Sequence, residues 1–369
     1  MTKVIIVDLK GIIFSSGEDV INRHLEYGIA LSRLESNAKL YILDRQGANK
    51  VSNKVNLEII SGRSIVSFFK QGIKLIQSGE DPVVLVSGDP WESFLASLIL
   101  RKLSRAKCSI QVQLHADVGS QAWRRLSWRN RVRSPFLPIV LKNAEQVRCV
   151  SRTQLENLQQ LVPNVESRTV VIPVPIKIDS KWREKRKIGG CETLAIVGRI
   201  HKDRGLEEFV RVCKILSLRF PRLNILVVGE GPHKRWLSDK MARAGIIDRT
   251  SFLGRKSQDE LSSSWKEFGC IASFAPSEAY GRSARESLVY GVPVLAKHSS
   301  GLVQLHDQLS GRGIWFLDNL SDDEIGDTFR VASDFIIPLK VSESIIEERD
   351  VLPENLAKSW IGISKPKVF

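Results

Sequence analysis

The stretch Leu194-Ala-Ile-Val-Gly198-Arg199-Ile-His-Lys202-Asp-Arg204-Gly205 decides how this chain is read. A short apolar run ends in glycine and a basic turn follows. Leu206, Phe209, Val210, Cys213 and Leu216 then recur at helical spacing, giving a helix with one apolar stripe. Strand, turn and amphipathic helix in that order open a βαβ unit. Downstream, Ile225-Leu-Val-Val-Gly229, Cys270-Ile-Ala-Ser-Phe274 and Val292-Pro-Val-Leu-Ala296 continue the series. Upstream, residues 4–7, 83–86, 110–114, 147–150 and 170–172 are further apolar runs rich in β-branched side chains, as in parallel strands covered on both faces. Helical patterns at 20–34 and 91–103 separate some of them. Two doubly wound α/β domains are expected in succession.

Between them, Pro173-Val-Pro175, the charge run Lys181-Trp-Arg-Glu-Lys-Arg-Lys187 and Gly189-Gly190 mark a connection. The expected organisation is a first domain over 1–175, a linker over 176–190 and a second domain over 191–340. The segment 341–369, which lacks a strand pattern, is expected to pack back toward the first domain.

Composition bounds the class. The chain has 369 residues, 43% hydrophobic and 26% charged, which fits a globular protein with sizeable cores and excludes disordered and fibrous classes. Lys and Arg number 55 against 41 Asp and Glu, a net charge of +14, so a partner carrying negative charge is expected. The five cysteines are an odd number without a Cys-x-x-Cys pair, and read as buried free thiols of a cytoplasmic protein. Lys3-Val-Ile-Ile-Val-Asp8 reads as a first strand rather than a secretory leader, and no run of 18 apolar residues offers a membrane span.

Several chemistries lack their signatures. There is no P-loop, and Gly229-Glu-Gly231 is followed by Lys234 where a dinucleotide fingerprint needs its third glycine. No Gly-x-Ser-x-Gly, His-Glu-x-x-His or Asp-x-Asp occurs, so no metal is expected.

What the sequence does offer is a set of glycine-basic turns at the carboxyl ends of second-domain strands, where open α/β sheets bind ligands. Arg199 and Arg204 flank a turn leading into a helix N-terminus, where an anion meets backbone N–H groups, the helix dipole and two guanidiniums. A solvated basic loop accounts for that turn equally well. The second turn is Ser277-Glu278-Ala-Tyr-Gly281-Arg-Ser-Ala-Arg-Glu286. Gly281 permits a backbone conformation closed to other residues, so neighbouring N–H groups can converge on a ligand. Glu286 falls in the first turn of the next helix, where a carboxylate can accept sugar hydroxyls or simply satisfy the dipole. Cations for phosphates beside carboxylates for hydroxyls make the inventory of a sugar-nucleotide site.

Taken together these motifs resemble the retaining glycosyltransferases of family 4, whose GT-B fold sets two facing Rossmann-like domains about a cleft. The resemblance spans nearly the whole chain and is strongest over 194–305. Gly198-Arg199 resembles the family's strand–Gly-Arg turn, Arg204-Gly205 its Lys-Gly, and Gly229-Glu-Gly231 its Gly-x-Gly. Glu278 and Glu286 match its spaced glutamates, followed by Tyr290-Gly291-Val-Pro293-Val294. In the first domain Gln111-Val-Gln-Leu-His115-Ala-Asp117 is similar to the family's strand ending in His, and Arg148-Cys-Val-Ser151 to its later strand ending in Ser. Three departures stand out: Arg204 replaces the usual Lys, Ala279 replaces Gly, and Ser15-Ser16-Gly17 is the only counterpart of the family's Gly-Gly turn.

The resemblance implies a retaining, metal-independent glycosyltransferase without cofactor, taking a nucleotide-diphosphate sugar to a glycan or polyprenyl-linked acceptor bound by the first domain. It implies that Arg199 and Arg204 hold the diphosphate and that Glu286 binds the ribose. Glu278 and His115 would act on the donor sugar, with Tyr280, Gly281, Arg282 and Ser283 forming the supporting loop and Ser16 and Gly17 an acceptor-side loop. A strand-end His bonded into its own loop is an equal reading of His115. An epimerase or phosphorylase of the same fold is the alternative enzyme. A nucleic-acid-binding protein is disfavoured, since aromatics are only 7% and no nucleic-acid motif appears.

One segment remains outside this scheme. Trp123-Arg-Arg-Leu-Ser-Trp128-Arg-Asn-Arg-Val-Arg133 interleaves tryptophans with five arginines and precedes the apolar Pro135-Phe-Leu-Pro-Ile-Val-Leu141. An anionic membrane surface on the inner face of the cell membrane is expected to meet it; a solvated helix whose tryptophans complete the core is the plainer reading.

Overall fold

In a computed structural model the described residues are 2–11, 13, 18–45, 57–187 and 191–364. The chain divides into two compact units: residues 1–120, 127–175 and 350–369 form one, and residues 121–126 with 176–349 form the other. The first runs β1 (Lys3–Asp8), α1 (Glu18–Leu34), β2 (Lys39–Asp44), β3 (Leu57–Ser61), α2 (Ile65–Gln77), β4 (Val83–Ser87), α3 (Glu92–Ser104) and β5 (Cys108–Leu114). Next in the chain comes the short helix α4 (Gln121–Arg125), which groups with the second unit; α5 (Trp128–Arg133), α6 (Leu137–Lys142), β6 (Gln146–Cys149), α7 (Arg152–Gln159) and β7 (Thr169–Val171) then continue the first. All seven strands pair in parallel in the order β3-β2-β1-β4-β5-β6-β7.

The second unit contains β8 (Thr193–Val197), α8 (Leu206–Arg219), β9 (Asn224–Val228), α9 (Lys234–Arg243), β10 (Thr250–Gly254), α10 (Gln258–Ser264), β11 (Cys270–Ser273), α11 (Arg282–Val289), β12 (Val294–Ala296), α12 (Ser300–Gln308), β13 (Ile314–Phe316), α13 (Asp322–Asp334) and α14 (Leu339–Asp350). Its sheet is also parallel, in the order β10-β9-β8-β11-β12-β13. The GT-B fold class expected from the sequence is thereby realised as two successive doubly wound α/β units.

Covered strands explain the unbroken apolar runs: every residue of β4, β8 and β11 is buried. In the second unit the stripe Leu206, Phe209, Cys213 and Leu216 of α8 packs into a core with Ile225, Phe274 and Phe329. In the first, α15 (Leu352–Ser364) packs against α1 and the sheet. Its Trp360 is fully buried, meets Tyr27 edge-on at 6.1 Å between ring centroids, and donates Nε1–H to Gln111 Oε1 at 2.8 Å. Four cysteines are buried free thiols and Cys191 is partly exposed. Among the described residues no helix is long and apolar enough to cross a membrane.

Candidate functional site

In each sheet the strand order reverses once, between β1 and β4 in the first unit and between β8 and β11 in the second. Ligands of open α/β sheets sit outside the strand carboxyl ends at such a point. In the second unit the turns after β8, β9 and β11 are held together by backbone contacts that only glycine allows. Gly229 has φ 138°, and a Cβ there would stand 1.9 Å from Gly198 O. At Gly205, φ 71°, a Cβ would stand 2.2 Å from Phe274 O, so the turn after β8 lies directly on the end of β11. Both positions are strained or blocked for any L side chain. Gly198 N–H to Val228 O at 2.9 Å and Ile200 N–H to Glu230 O at 3.0 Å complete the seam.

This seam brings Arg204 and Glu278 together. Arg204 Nη1 lies 2.8 Å from Glu278 Oε2, with the two side chains 27% and 14% exposed. Glu278 Oε1 accepts from Gly281 N–H at 3.1 Å, and the Glu278 carbonyl accepts from Gly301 N–H at 2.8 Å. The carboxylate therefore fixes both the guanidinium and the loop leading into α11. Gly281 caps that helix with left-handed backbone, and the first intrahelical bond runs from Arg285 N–H to Gly281 O. The amides of Arg282, Ser283 and Ala284 precede it and lie outside the helical ladder, as first-turn amides do. Free first-turn amides beside a guanidinium are an arrangement that can hold an anion.

The remaining expected residues divide. Glu286 stands in the second turn of α11, not the first as expected, because the helix starts at Arg282; it is buried and accepts from Arg282 Nε at 3.0 Å, while Arg282 itself is 42% exposed. Arg199 is open to solvent and paired with Asp203 at 3.0 Å, an exposed i,i+4 contact of small energetic weight. Tyr280 is buried, its ring 4.1 Å beneath the Arg285 guanidinium. Ser16 and Gly17 lie outside the described residues.

Arg285 has a role that sequence reading missed. It lies in the basic turn that follows Gly281, yet it is 1% exposed and donates to Tyr280 O at 3.3 Å, Glu348 Oε2 at 3.0 Å and Gln308 Oε1 at 3.2 Å. It is a strut joining the loop to α12 and α14. A strictly local pattern gives no sign of this, since Glu348 stands sixty-three residues away.

His115 belongs to the first unit, where it lines a cavity of about 230 Å³ at the β1–β4 reversal, with Asp8, Lys10, His24, Asp89 and Arg148 among its walls. His115 is an exposed residue just past β5, and its Nε2 meets Gln113 Oε1 at 3.2 Å. Desolvation, with Arg148 and Arg23 nearby, lowers its pKa and favours the neutral ring. His24 is buried, its pKa lowered to about 4 by desolvation and by Arg23 and Arg148, with Nδ1 2.6 Å from Val20 O. Arg148 is buried and donates to Gln113 Oε1 and to the carbonyls of Ile172 and Pro173. Neither His24 nor Arg148 was singled out from sequence for this cavity. Asp8, at the carboxyl end of β1, was findable by position alone. Among the described residues no cluster of three or more His, Cys, Asp or Glu side chains suits a metal ion.

The basic segment splits. Trp123 in α4 is buried, whereas Trp128 at the start of α5 is 69% exposed.

Residues 179–332 match the family model described as glycosyl transferases group 1. An uncharacterised glycosyltransferase of Methanocaldococcus jannaschii is 27% identical over 239 residues, 60% of each chain. The 2-deoxystreptamine glucosyltransferase of Streptomyces kanamyceticus is 30% identical over 124 residues, 32% of each chain. The matches thus span 60% or less of these relatives' length. Among solved structures, Anabaena HepE in complex with UDP and glucose superposes with a TM-score of 0.69 at 16% identity, over 97% of this chain and all of that one.

Proposed function

From a chain whose second unit belongs to the glycosyl transferases group 1 family, we infer a retaining glycosyltransferase that moves one sugar from a nucleotide-diphosphate donor to a glycan or lipid-linked glycan acceptor. The observation that carries the reading is the convergence at the β8–β11 reversal. There Arg204, Glu278 and the first amides of α11 are brought together by glycine contacts that leave no room for side chains.

Breaking a glycosyl–phosphate bond develops negative charge on the departing diphosphate and positive charge on the sugar. Arg204 and the α11 amides stabilise the first, and Arg199, open at the turn, reaches the same group. This charge stabilisation does the work otherwise done by a metal ion. Glu286 takes the ribose hydroxyls, and Glu278, already orienting Arg204, takes the donor sugar. With no nucleophile better placed, the acceptor oxygen attacks on the face the phosphate leaves, and a leaving-phosphate oxygen takes the acceptor proton. His115 serves the donor sugar as a neutral imidazole, a role resting on the family resemblance. HepE binds UDP and glucose, which supports a uridine nucleotide as the first donor to try. The free thiols fit a cytoplasmic enzyme, and the arginine-rich segment fits peripheral attachment to an anionic membrane.

The test is proton NMR of the product formed from an α-linked uridine-diphosphate sugar and a glycan acceptor. Retention predicts an α-glycoside; a β-glycoside overturns the stereochemical assignment, and an altered nucleotide sugar without transfer favours an epimerase.

A further inference from the structure

Half of the large apolar side chains that stand exposed among the described residues lie on α2, α3 and the α5–α6 segment of the first unit. This placement follows from topology. The crossovers β4–α3–β5 and β5–α4–α5–α6–β6 step in the same direction across the sheet, so right-handed connection puts them on one face. Two ion pairs lash the second connection along α3: Arg133 to Glu92 at 2.5 Å near the start of α3, and Arg101 to Glu145 at 3.0 Å near its end.

From residue 128 to 142 the backbone is nearly continuous right-handed helix, with a short 3-10 turn at Ser134–Phe136. Leu137, Val140 and Leu141 turn inward and are buried. Trp128, Val132, Phe136 and Ile139, spaced by four, four and three, form an outward stripe exposed by 69%, 56%, 56% and 58%. Leu95 and Leu103 of the neighbouring α3 are exposed by 58% and 54%. Arg129, Arg131 and Lys142 are exposed in the same segment, and no Asp or Glu occurs between Asp117 and Glu145.

We propose that the outer face of α3, α5 and α6 seats the protein on a bilayer containing anionic lipids. Trp128, Val132, Phe136 and Ile139 enter the interfacial layer, and Arg129, Arg131 and Lys142 meet lipid phosphates. The proposal rests on the reading of the chain as membrane-peripheral; it narrows the contact to the exposed residues of 128–142 and adds the neighbouring face of α3. Trp123 is buried, and Arg133 is engaged by Glu92 and lies over the Trp91 ring at 5.8 Å. Charge decides the occupant. A second copy docked on this face by two-fold symmetry would set cations against cations with no carboxylate in the segment to answer them. An anionic lipid surface supplies the missing charge, and apolar residues flanked by cations are the pattern of an interfacial helix.

Flotation of the full chain with phosphatidylcholine vesicles, with and without phosphatidylglycerol, tests this. The wild-type protein is expected to float only with phosphatidylglycerol and to release as salt rises. The triple variant Arg129→Gln, Arg131→Gln, Lys142→Gln should bind about a hundredfold more weakly, since each cation near an anionic surface is worth about fivefold. Trp128→Ser with Phe136→Ser should weaken binding at least about tenfold through lost apolar contact. Both variants should keep the wild-type melting temperature, because the side chains removed are exposed. If the wild-type protein does not float, the membrane-peripheral reading fails and this surface with it. If it floats and both variants float equally well, the peripheral reading stands and the surface assigned here is wrong. A dimer that the Trp128/Phe136 variant dissolves, without vesicle binding, gives the face to a second copy and overturns the proposal.

Discussion

Replacing Arg204 by alanine should separate catalysis from folding in the second unit. In the structure its Nη1 is 2.8 Å from Glu278 Oε2, and both side chains keep some access to water. Without the guanidinium, Glu278 retains the Gly281 amide at 3.1 Å and hydration. The folding cost is therefore about 1 kcal/mol, the range of a partly exposed ion pair. In a domain of this size that corresponds to a fall of about 2–4 °C in melting temperature. The transition state loses far more. A charge-assisted donor aimed at developing negative charge is worth about 3–4 kcal/mol, or two to three orders of magnitude in turnover. Arg204→Lys restores the charge without the planar fork and should recover part of that loss. The assay is the rate of nucleoside diphosphate release from the donor in the presence of acceptor, paired with thermal melting. Wild-type turnover in a folded Arg204→Ala protein would refute the assignment. So would a melting temperature that falls far enough to account for the lost rate.

The carboxylates should behave differently from each other. Glu278→Gln removes negative charge beside Arg204, so turnover should fall by at least about tenfold while UDP binds as well as before or better. Weaker UDP binding, measured by calorimetry, would contradict that role. Glu286→Gln should weaken UDP about tenfold and erase any preference for UDP over its 2′,3′-dideoxy analogue; a retained preference removes Glu286 from the ribose site. Arg285→Met leaves Gln308 and the partly exposed Glu348 without their shared donor and should lower stability by about 1–3 kcal/mol, the range for lost hydrogen bonds to a charged group. An unchanged melting temperature would show that the strut is dispensable. His24 gives a pH dependence: with a folded pKa of about 4 below an ordinary value of 6.5, the unfolded chain binds the proton first. Its contribution is intact above pH 6.5 and is lost as pH falls toward 4, reaching about 3 kcal/mol at about 1.4 kcal/mol per pKa unit. Urea unfolding across that range should show the slope in the wild-type protein and a flatter one in His24→Gln.

The fold was legible where strands are covered on both faces. Residues 83–86 and 194–198 announce themselves as apolar runs because β4 and β8 are buried throughout. The edge strand β10 alternates between half-buried and exposed residues, and β13 has only three residues, so neither stands out. Residues 40–43 of β2 are an apolar run of the same kind and were overlooked. At the site, local spacing revealed the glycine turns and both glutamates. The Arg204–Glu278 pair was out of reach, since it spans seventy-four residues and depends on the β8–β11 crossover. Arg285 and Arg148 illustrate the same limit: an arginine in a sequence reads as surface charge, and only the assembled core supplies the carbonyls and carboxylate that bury it.

The central claim is that the β8–β11 reversal holds the diphosphate of a nucleotide sugar. Calorimetric titration of the purified full chain with UDP, GDP, ADP and their common sugar conjugates tests it most directly. The account predicts saturable binding of at least one nucleoside diphosphate and its sugar conjugate, weakened about tenfold or more by Arg204→Ala. If no nucleotide binds, or if Arg204→Ala binds the preferred one as tightly as the wild-type protein does, the donor site is not where these residues place it.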